Sequence, residues 1–230
     1  MSEHMALENL TVLDLTRVLA GPFCTMMLAD MGANVIKIEV PKGGDDTRGY
    51  PPFRAKNLNG ERESVYFANI NRNKKGITLN LKAPEGKEIF KELVKKADIV
   101  VENYRPGVMD KLGLGYDVLK EINPRIIYAA VSGFGCYGPY HLRPGYDILA
   151  QAMGGMMSIT GSKGGEPTRA GSALGDILGG LHVTIGILAA VNARTITGKG
   201  QRVDVSLMDS MIAATENTCL LYTSPSPRDS

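Results

Sequence analysis

The chain has 230 residues, a formal net charge of +2 and 43% hydrophobic residues. Such a chain can bury a real core, as one large domain or as a domain plus a fragment. The small net charge and the lack of like-charge blocks argue against a nucleic-acid partner. Three cysteines without C-x-x-C spacing argue against a disulfide framework or a zinc site and favour reduced thiols. No apolar signal region and no run of ~18 apolar residues occurs, so we expect a cytoplasmic protein with no membrane partner.

Short apolar segments alternate with helical segments along the chain. Helices are predicted over residues 22–31, where Gly32 supplies a stop signal, and after Ala83-Pro84, because proline is tolerated in a first turn. Strands are predicted over residues 11–16, 34–39, 77–82, 98–103 and 125–132. Strands that alternate with helices of about ten or more residues indicate βαβ units. We therefore predict a Rossmann-like α/β domain with a mostly parallel sheet.

Polar residues follow several of the predicted strands, at the edge where parallel sheets bind ligands. These residues are Arg17, Asn80, Lys82, Asn103, Tyr104 and Arg105, with Leu19 and Ala20 beside the first, and Lys74, Lys75 and Lys111 add positive charge nearby in sequence. A single basic residue in a loop is usually a solvated surface group. Several at successive strand ends favour an anionic ligand such as a nucleotide phosphate, and the residues alone leave both interpretations open.

One glycine pattern imitates a dinucleotide fingerprint. Gly133, Gly135 and Gly138 spell G-x-G-x-x-G after a predicted strand. The fingerprint must open a helix, whereas Pro139 and the Pro144-Gly145 pair follow here. We predict a glycine-rich loop and no NAD site.

Asp176 stands where a polar loop turns into a long apolar run over residues 177–194. We predict that Asp176 is the N-cap of this helix, because an Asp side chain accepts bonds from first-turn amides. Apolar residues on nearly every face predict a helix buried on all sides. Gly179, Gly180 and Gly186 weaken such a helix and indicate a close approach to its backbone. A capped core helix and a reactive carboxylate poised by the helix start both remain open.

Six stretches of the chain resemble family III CoA-transferases, the group that includes formyl-CoA transferase, carnitine CoA-transferase and the α-methylacyl-CoA racemases. They read VLDLTRVLAGPFCTMMLADMGANVIKIE, NRNKKGITLNLKAPEGK, VENYRPGVMDKLGLGYD, RPGYDILAQAMGG, ALGDILGG and TGKGQRVDVSLMDSM. The resemblance implies a CoA-binding large domain over residues 1–211 and a homodimer of interlocked rings. It also implies that residues 212–230 are a truncated end with a non-native tail. The family's smaller C-terminal domain and a later Gly-rich loop over the active site would then be missing.

The resemblance also implies a mechanism. The aspartate of ALGDILGG, here Asp176, would attack the donor thioester, and a mixed anhydride and then an aspartyl-CoA thioester would form before the acceptor acid takes over the CoA. The substrates would be an acyl-CoA and a carboxylic acid, with no permanently bound cofactor and no metal. Tyr146 and Asp147 would face the acyl group. The family's CoA pocket maps onto Leu19, Ala20, Leu79, Asn80, Leu81, Lys82, Asn103, Tyr104, Arg105 and Lys111.

Departures from the family pattern limit what the resemblance implies. Leu19 stands where formyl-CoA transferase has a glutamine near the acyl group, and Val40 where it has an arginine beside the adenine, so oxalate or formyl-CoA specificity is not expected. The racemases have a histidine at the position of Tyr146, and tyrosine, with an ordinary pKa of about 10, is a poor base. Transfer is therefore favoured over racemisation, and a non-catalytic CoA-binding module is a third alternative. We expect the 230-residue chain by itself to be poorly soluble and inactive.

Overall fold

The computed structural model describes residues 4–56, 60, 62–162 and 165–216. Its strands are β1 (Thr11–Asp14), β2 (Asn34–Glu39), β3 (Lys75–Thr78), β4 (Ile99–Glu102), β5 (Ile127–Ser132) and β6 (Arg202–Ser206). They form one sheet in the order β3-β2-β1-β4-β5-β6, and every neighbouring pair is parallel. This confirms the predicted α/β fold. The strand order reverses between β1 and β4, which is the position at which such sheets open a ligand crevice.

Helices cover both faces of the sheet. They are α1 (Ala20–Asp30), α2 (Val65–Ile70), α3 (Pro84–Val94), α4 (Val108–Lys111), α5 (Tyr116–Ile122), α6 (Asp147–Met153), α7 (Leu174–Thr197) and α8 (Leu207–Ala214), with short 3₁₀ turns at Asp46–Gly49 and Met156–Ile159.

The two cores follow from the alternation of side chains along each strand. Val12 of β1 and Ile99 of β4 join α1 and α7 in one cluster of buried residues. Leu13 and Val100, the next residues, join α3 and α5 in the other cluster. Because successive side chains point to opposite faces and helices cover both, these strands read as continuous apolar runs. That is the pattern from which the sheet was predicted.

The predicted third strand is displaced. Residues 77–82 were expected to form it, but β3 occupies Lys75–Thr78, at the edge of the sheet. The chain turns instead of continuing, because Asn80 accepts bonds from the Lys82 amide (3.1 Å, to Oδ1) and the Ala83 amide (3.1 Å, to the carbonyl) just before α3. Leu79 to Lys82 therefore form a loop. The structure also has β6, α2, α4, α5, α6 and α8, which the sequence analysis did not predict.

The start of α7 differs from the prediction. Ala173 is the N-cap and Asp176 is the third helical residue, so the predicted N-cap role of Asp176 is wrong. The physical reason lies in α6. Asp147 accepts a bond from the Gly175 amide (2.8 Å), and so satisfies a first-turn amide that an N-cap side chain would otherwise take. The side chain of Asp176 therefore does not cap α7.

The predicted burial of α7 on all sides is also wrong. One side packs on α1, α8 and the sheet, where Val183 and Ile187 are fully buried, but Ile185 is 61% exposed and Ile196 82% exposed. The predicted close approach is confirmed, since a Cβ at Gly180 would lie 2.8 Å from the Ala20 carbonyl oxygen. Within the part of the chain that the structure describes, α7 is the one helix long and apolar enough to cross a membrane by length and composition. Here it is the central packing helix of the α/β domain.

Candidate active site

The crevice at the switch point is bordered by the loops that follow β1 and β4. These loops are joined by a reciprocal pair of bonds. The Arg17 amide donates to Asn103 Oδ1 (2.9 Å), and Asn103 Nδ2 donates to the Arg17 carbonyl (2.7 Å). The Arg17 guanidinium also lies 5.7 Å from the centre of the Tyr104 ring. Three residues predicted at the strand ends therefore do lie together.

Buried charged side chains support the loop that follows β1. Lys37 of β2, only 2% exposed, donates to the Thr16 carbonyl (2.7 Å) and lies 2.9 Å from the Asp45 carboxylate. Asp45 in turn accepts a bond from the amide of Val18 (3.2 Å), a β-branched residue with a φ of +69°. Burial raises the pKa of Asp45, but the charge of Lys37 and bonds from Thr47 outweigh burial and lower it. The left-handed turn at Val18 is thus tied to a buried ion pair.

A second buried pair corrects one interpretation of the sequence. Lys74 was considered as a positive charge for an anionic ligand, but its side chain is 2% exposed and lies 3.0 Å from Asp14. Its ammonium also donates to the Pro22 carbonyl (3.1 Å) and to Asn71 Oδ1 (2.8 Å). Burial lowers the pKa of Lys74, with Asp14 opposing. Lys74 braces the start of α1 and does not face the crevice.

Asp176 lines a cavity of about 200 Å³ at the carboxyl ends of the central strands. The cavity is also lined by Arg17, Leu19, Ala20, Asp46, Asn103, Tyr104, Arg105, Arg143 and Tyr146. Burial and then the negative charge of Asp147 raise the pKa of Asp176 to about 7, while Arg169 opposes. A carboxyl in a cleft with a strongly raised pKa is a candidate functional group.

Asp147 is 7% exposed and its carboxylate is fully engaged within the protein. It accepts bonds from Gln151 Nε2 (2.9 Å), from Arg169 Nε (3.1 Å) and Nη2 (2.9 Å), and from the Gly175 amide (2.8 Å). These contacts join α6, the loop before α7 and the first turn of α7. A direct contact of Asp147 with substrate stays a prediction. Its neighbour Tyr146 is 70% exposed and lines the Asp176 cavity.

A second and larger cavity of about 590 Å³ lies beside the first. The loop after β3 contributes Leu79, Asn80, Leu81 and Lys82, and the loop after β2 contributes Val40. Arg17, Tyr104 and Arg105 line both cavities, so the two spaces meet at these side chains. Of the predicted CoA-binding residues, only Lys111, exposed on α4, lines neither cavity.

Several residues near the cavities were not singled out from the sequence. Glu102, the last residue of β4, is 6% exposed and accepts bonds from the Tyr104 amide (2.7 Å) and the Tyr128 hydroxyl (3.1 Å). Burial raises the pKa of Glu102 to about 7. The sequence signal that could have identified Glu102 was an acidic residue at the end of an apolar strand. Arg169 carried no comparable signal, since it lies in an irregular loop. Arg143 begins the quoted stretch RPGYDILAQAMGG, but the sequence analysis gave it no role.

The glycine-rich loop and the thiols agree with the sequence analysis. Residues 133–146 form no helix after β5, so the G-x-G-x-x-G pattern does not open one. Cys24 and Cys136 are free thiols, and Cys219 lies outside the described residues. Within the described ranges, no group of three or more His, Cys, Asp or Glu side chains is placed to hold a metal ion.

Known proteins similar to this chain place it in a family. A model described as CoA-transferase family III matches residues 7–230. An acyl-CoA transferase of Fusarium pseudograminearum is 50% identical over 96% of this chain and 49% of its own length. A succinyl-CoA:mesaconate CoA-transferase of Haloarcula marismortui is 48% identical over 94% of this chain and 55% of its own length. A solved CAIB/BAIF family protein from Brucella suis superposes with a TM-score of 0.91 at 44% identity, over 98% of this chain and 60% of that chain. The chain spans about half the length of the curated relatives it matches, and it belongs to CoA-transferase family III.

Proposed function

We propose that the protein transfers coenzyme A from an acyl-CoA to a carboxylic acid, with Asp176 as the nucleophile. The observation that carries the proposal is the position of Asp176 in a small cavity that meets a larger one at Arg17, Tyr104 and Arg105. A reactive carboxylate at the end of a space large enough for part of a nucleotide-bearing chain is the arrangement that this transfer requires. Family membership supports the same reaction.

The reaction would proceed through three covalent intermediates on Asp176. Its carboxylate oxygen attacks the thioester carbonyl, the C–S bond breaks, and CoA leaves as the thiolate, which gives an acyl-aspartyl anhydride. The thiolate then attacks the Asp176 carbonyl and releases the donor acid, which gives an aspartyl-CoA thioester. The acceptor carboxylate attacks that thioester and expels the CoA thiolate, which gives a second anhydride. The thiolate then attacks the acyl carbon of the acceptor, the C–O bond to Asp176 breaks, and the new acyl-CoA and the free Asp176 carboxylate result. Covalent steps of this kind replace one difficult exchange with easier ones.

The larger cavity would hold the nucleotide end of CoA. Its walls combine apolar side chains, Val40 and Leu79 among them, with the positive charges of Lys82 and Arg105. The pantetheine arm would pass Tyr104 and bring the thioester to Asp176. Leu19 would then lie against the acyl portion, because it lines the smaller cavity and not the larger one.

Racemisation is the alternative reaction in this fold. It needs a second acid/base at the α-carbon, and the described lining of the Asp176 cavity contains no histidine. Tyr146 lies there instead, and His141 Nδ1 contacts the Gly138 carbonyl (2.7 Å) in the preceding loop. Solvent deuterium entering the α-carbon of a 2-methylacyl-CoA at catalytic rates would show that racemisation, and not transfer, is the reaction.

Trapping the covalent intermediate tests the proposal. The full-length protein would be incubated with donor acyl-CoA and hydroxylamine, and mass spectrometry should find modification at Asp176. Asp176→Ala should abolish both modification and transfer. Asp209→Ala is the matched control, because Asp209 occupies the same third position of α8 but is exposed and lines neither cavity. Transfer at wild-type rate by the Asp176 variant would refute the assignment.

The donor and acceptor require a screen. Succinyl-CoA and mesaconate are the first pair to assay, because the Haloarcula marismortui relative is named for them. Self-association into a homodimer and a cytoplasmic location stay predictions. Sedimentation of the full-length protein tests the first, and fractionation of the source cells tests the second.

A further inference from the structure

The charges that line the Asp176 cavity are not balanced. Three arginines, Arg17, Arg105 and Arg143, face two carboxylates, Asp46 and Asp176. Arg17 lies 3.6 Å from Asp46, so these two charges offset each other. Among the residues that the structure describes, no carboxylate lies within ion-pair distance of the Arg105 or Arg143 guanidinium. The cavity thus presents two cations that have no ion-pair partner in the described part of the chain.

The two free cations lie in different places. Arg105 lines both cavities and so stands at the junction through which the CoA arm would pass. Arg143 lines only the smaller cavity, which Asp176 and Tyr146 also line. A charge that serves CoA would be expected at the junction. Arg143 is instead placed to meet a group that enters the smaller cavity itself.

The structure holds Arg143 in place. Its guanidinium carbon lies 4.3 Å from the centre of the Tyr140 ring, and its amide donates to the Tyr140 carbonyl (2.8 Å). The Tyr140 ring packs edge-on against Phe134, with centroids 5.8 Å apart. Two residues further on, the backbone of Gly145 meets that of Gly133 so closely that a Cβ at Gly133 would lie 2.4 Å from the Gly145 Cα. The Arg143 side chain is exposed, but a guanidinium that already stacks on a ring loses less freedom when it binds an anion.

We propose that Arg143 binds the second, non-reacting carboxylate of a dicarboxylic acid, and so selects dicarboxylic over monocarboxylic substrates. This inference rests on the proposed transfer reaction. In that reaction one carboxyl of the acid must reach the carbonyl carbon on Asp176, and the rest of the molecule must lie in the same small cavity. A guanidinium pairs with a carboxylate in a planar, two-bond geometry, which holds the far end of the acid. Arg143 is then a specificity-determining residue, whereas Asp176 carries the chemistry.

The test compares two acids of equal length. Full-length protein would be assayed with glutarate and with pentanoate as acceptors, for the wild type, Arg143→Met and Arg143→Lys. Loss of a charge-assisted pair predicts a fall in kcat/KM for glutarate of about 10- to 100-fold, carried mainly by KM. Pentanoate turnover should change less than about threefold, and Lys should restore part of the loss. Arg54→Met is the control, because Arg54 is exposed and lines neither cavity.

The outcomes separate this inference from the proposed function. An unchanged KM for glutarate in Arg143→Met, or an equal loss for both acids, would overturn the role of Arg143 while transfer stands. Absence of transfer by the wild type with every donor would instead remove the proposed function. Calorimetric titration of the CoA-saturated protein with glutarate then still tests Arg143, since the wild type should bind it at least about tenfold more tightly than Arg143→Met.

Discussion

Replacement of Lys37 by methionine tests whether a buried ion pair supports the candidate site. Methionine has nearly the same length, so the change removes the charge and leaves most of the packing volume. In the native protein the Lys37 ammonium lies 2.9 Å from Asp45 and 2.7 Å from the Thr16 carbonyl, and its side chain is 2% exposed. The variant leaves a buried carboxylate and a carbonyl without this cation.

The expected cost follows from that burial. Breaking a buried pair by removing one partner costs about 3–5 kcal/mol. At about 2–4 °C per kcal/mol for a domain of this size, the unfolding midpoint should fall by about 6–20 °C. Asp45 has a lowered pKa in the folded state, so its ionised form stabilises the protein above the unfolded pKa of about 3.9. The contribution is therefore full at pH 7 and is lost as the pH falls through the folded pKa.

The double variant Lys37→Met/Asp45→Asn provides the decisive comparison. Removing both charges leaves no unpaired buried ion, so it should cost much less than the sum of the single changes. Urea unfolding at pH 7 measures all three variants. Lys75→Met is the control, because Lys75 is exposed on the edge strand and makes a single bond to Asn34, and it should stay within about 0.5 kcal/mol of the wild type. A Lys37 variant within 1 kcal/mol of the wild type, on the scale of a routine surface change, would refute the reasoning.

Three further predictions concern the cavities and their acids. The rate of acyl-intermediate formation should rise with pH through about 7, the pKa of Asp176. Asp147→Asn should move this rise to lower pH, because it removes a repelling charge and frees Arg169. Single-turnover rates between pH 5 and 9 measure the profile, and an unchanged profile in the variant would contradict the prediction. Gly86→Ala should raise the KM for acyl-CoA, because its Cβ would lie 2.0 Å from the Asn80 carbonyl oxygen beside the larger cavity, whereas Gly76→Ala meets no atom within 4 Å and should leave KM unchanged. Burial raises the pKa of Glu102 to about 7, so the stability contributed by its protonated form is lost as the pH rises through that value. Glu102→Gln should therefore reduce the fall in unfolding free energy between pH 5.5 and 8.5 by about 2 kcal/mol. A fall as large as that of the wild type would contradict this prediction.

The sheet was predictable because the burial of each strand is visible in the strand's own sequence. β2 was predicted with its observed bounds, and the buried strands β4 and β5 within about two residues at each end. Their apolar runs arise because helices cover both faces of a parallel sheet. β3 was displaced because it is an exposed edge strand, and its bounds depend on the bonds that Asn80 makes within the turn.

The electrostatics of the site were not predictable in the same way. Lys37 lies within a strand pattern that reads N-V-I-K-I-E, where a lysine is ordinarily solvated, and its burial depends on Asp45 in the following loop. Lys74 lies in a basic run that resembles a ligand site. Its side chain is nevertheless buried, because it forms an ion pair with Asp14, which is distant in sequence. Propensity and periodicity describe neighbours along the chain, whereas a buried ion pair is a property of two distant segments brought together.

The start of α7 shows why the surroundings of Asp176 could not be predicted from the sequence. The sequence favours an N-cap role, in which the carboxylate would be used up by its own helix. In the structure Asp147 takes over that work: it binds the Gly175 amide, Gln151 and Arg169, and so orders the helix start from another element. Asp176, one residue beyond Gly175, keeps its oxygens for the cavity, and the charge of Asp147 together with burial raises its pKa. One carboxylate therefore orders the start of α7 and the other stays open to the cavity, a division that depends on the pairing of α6 with α7.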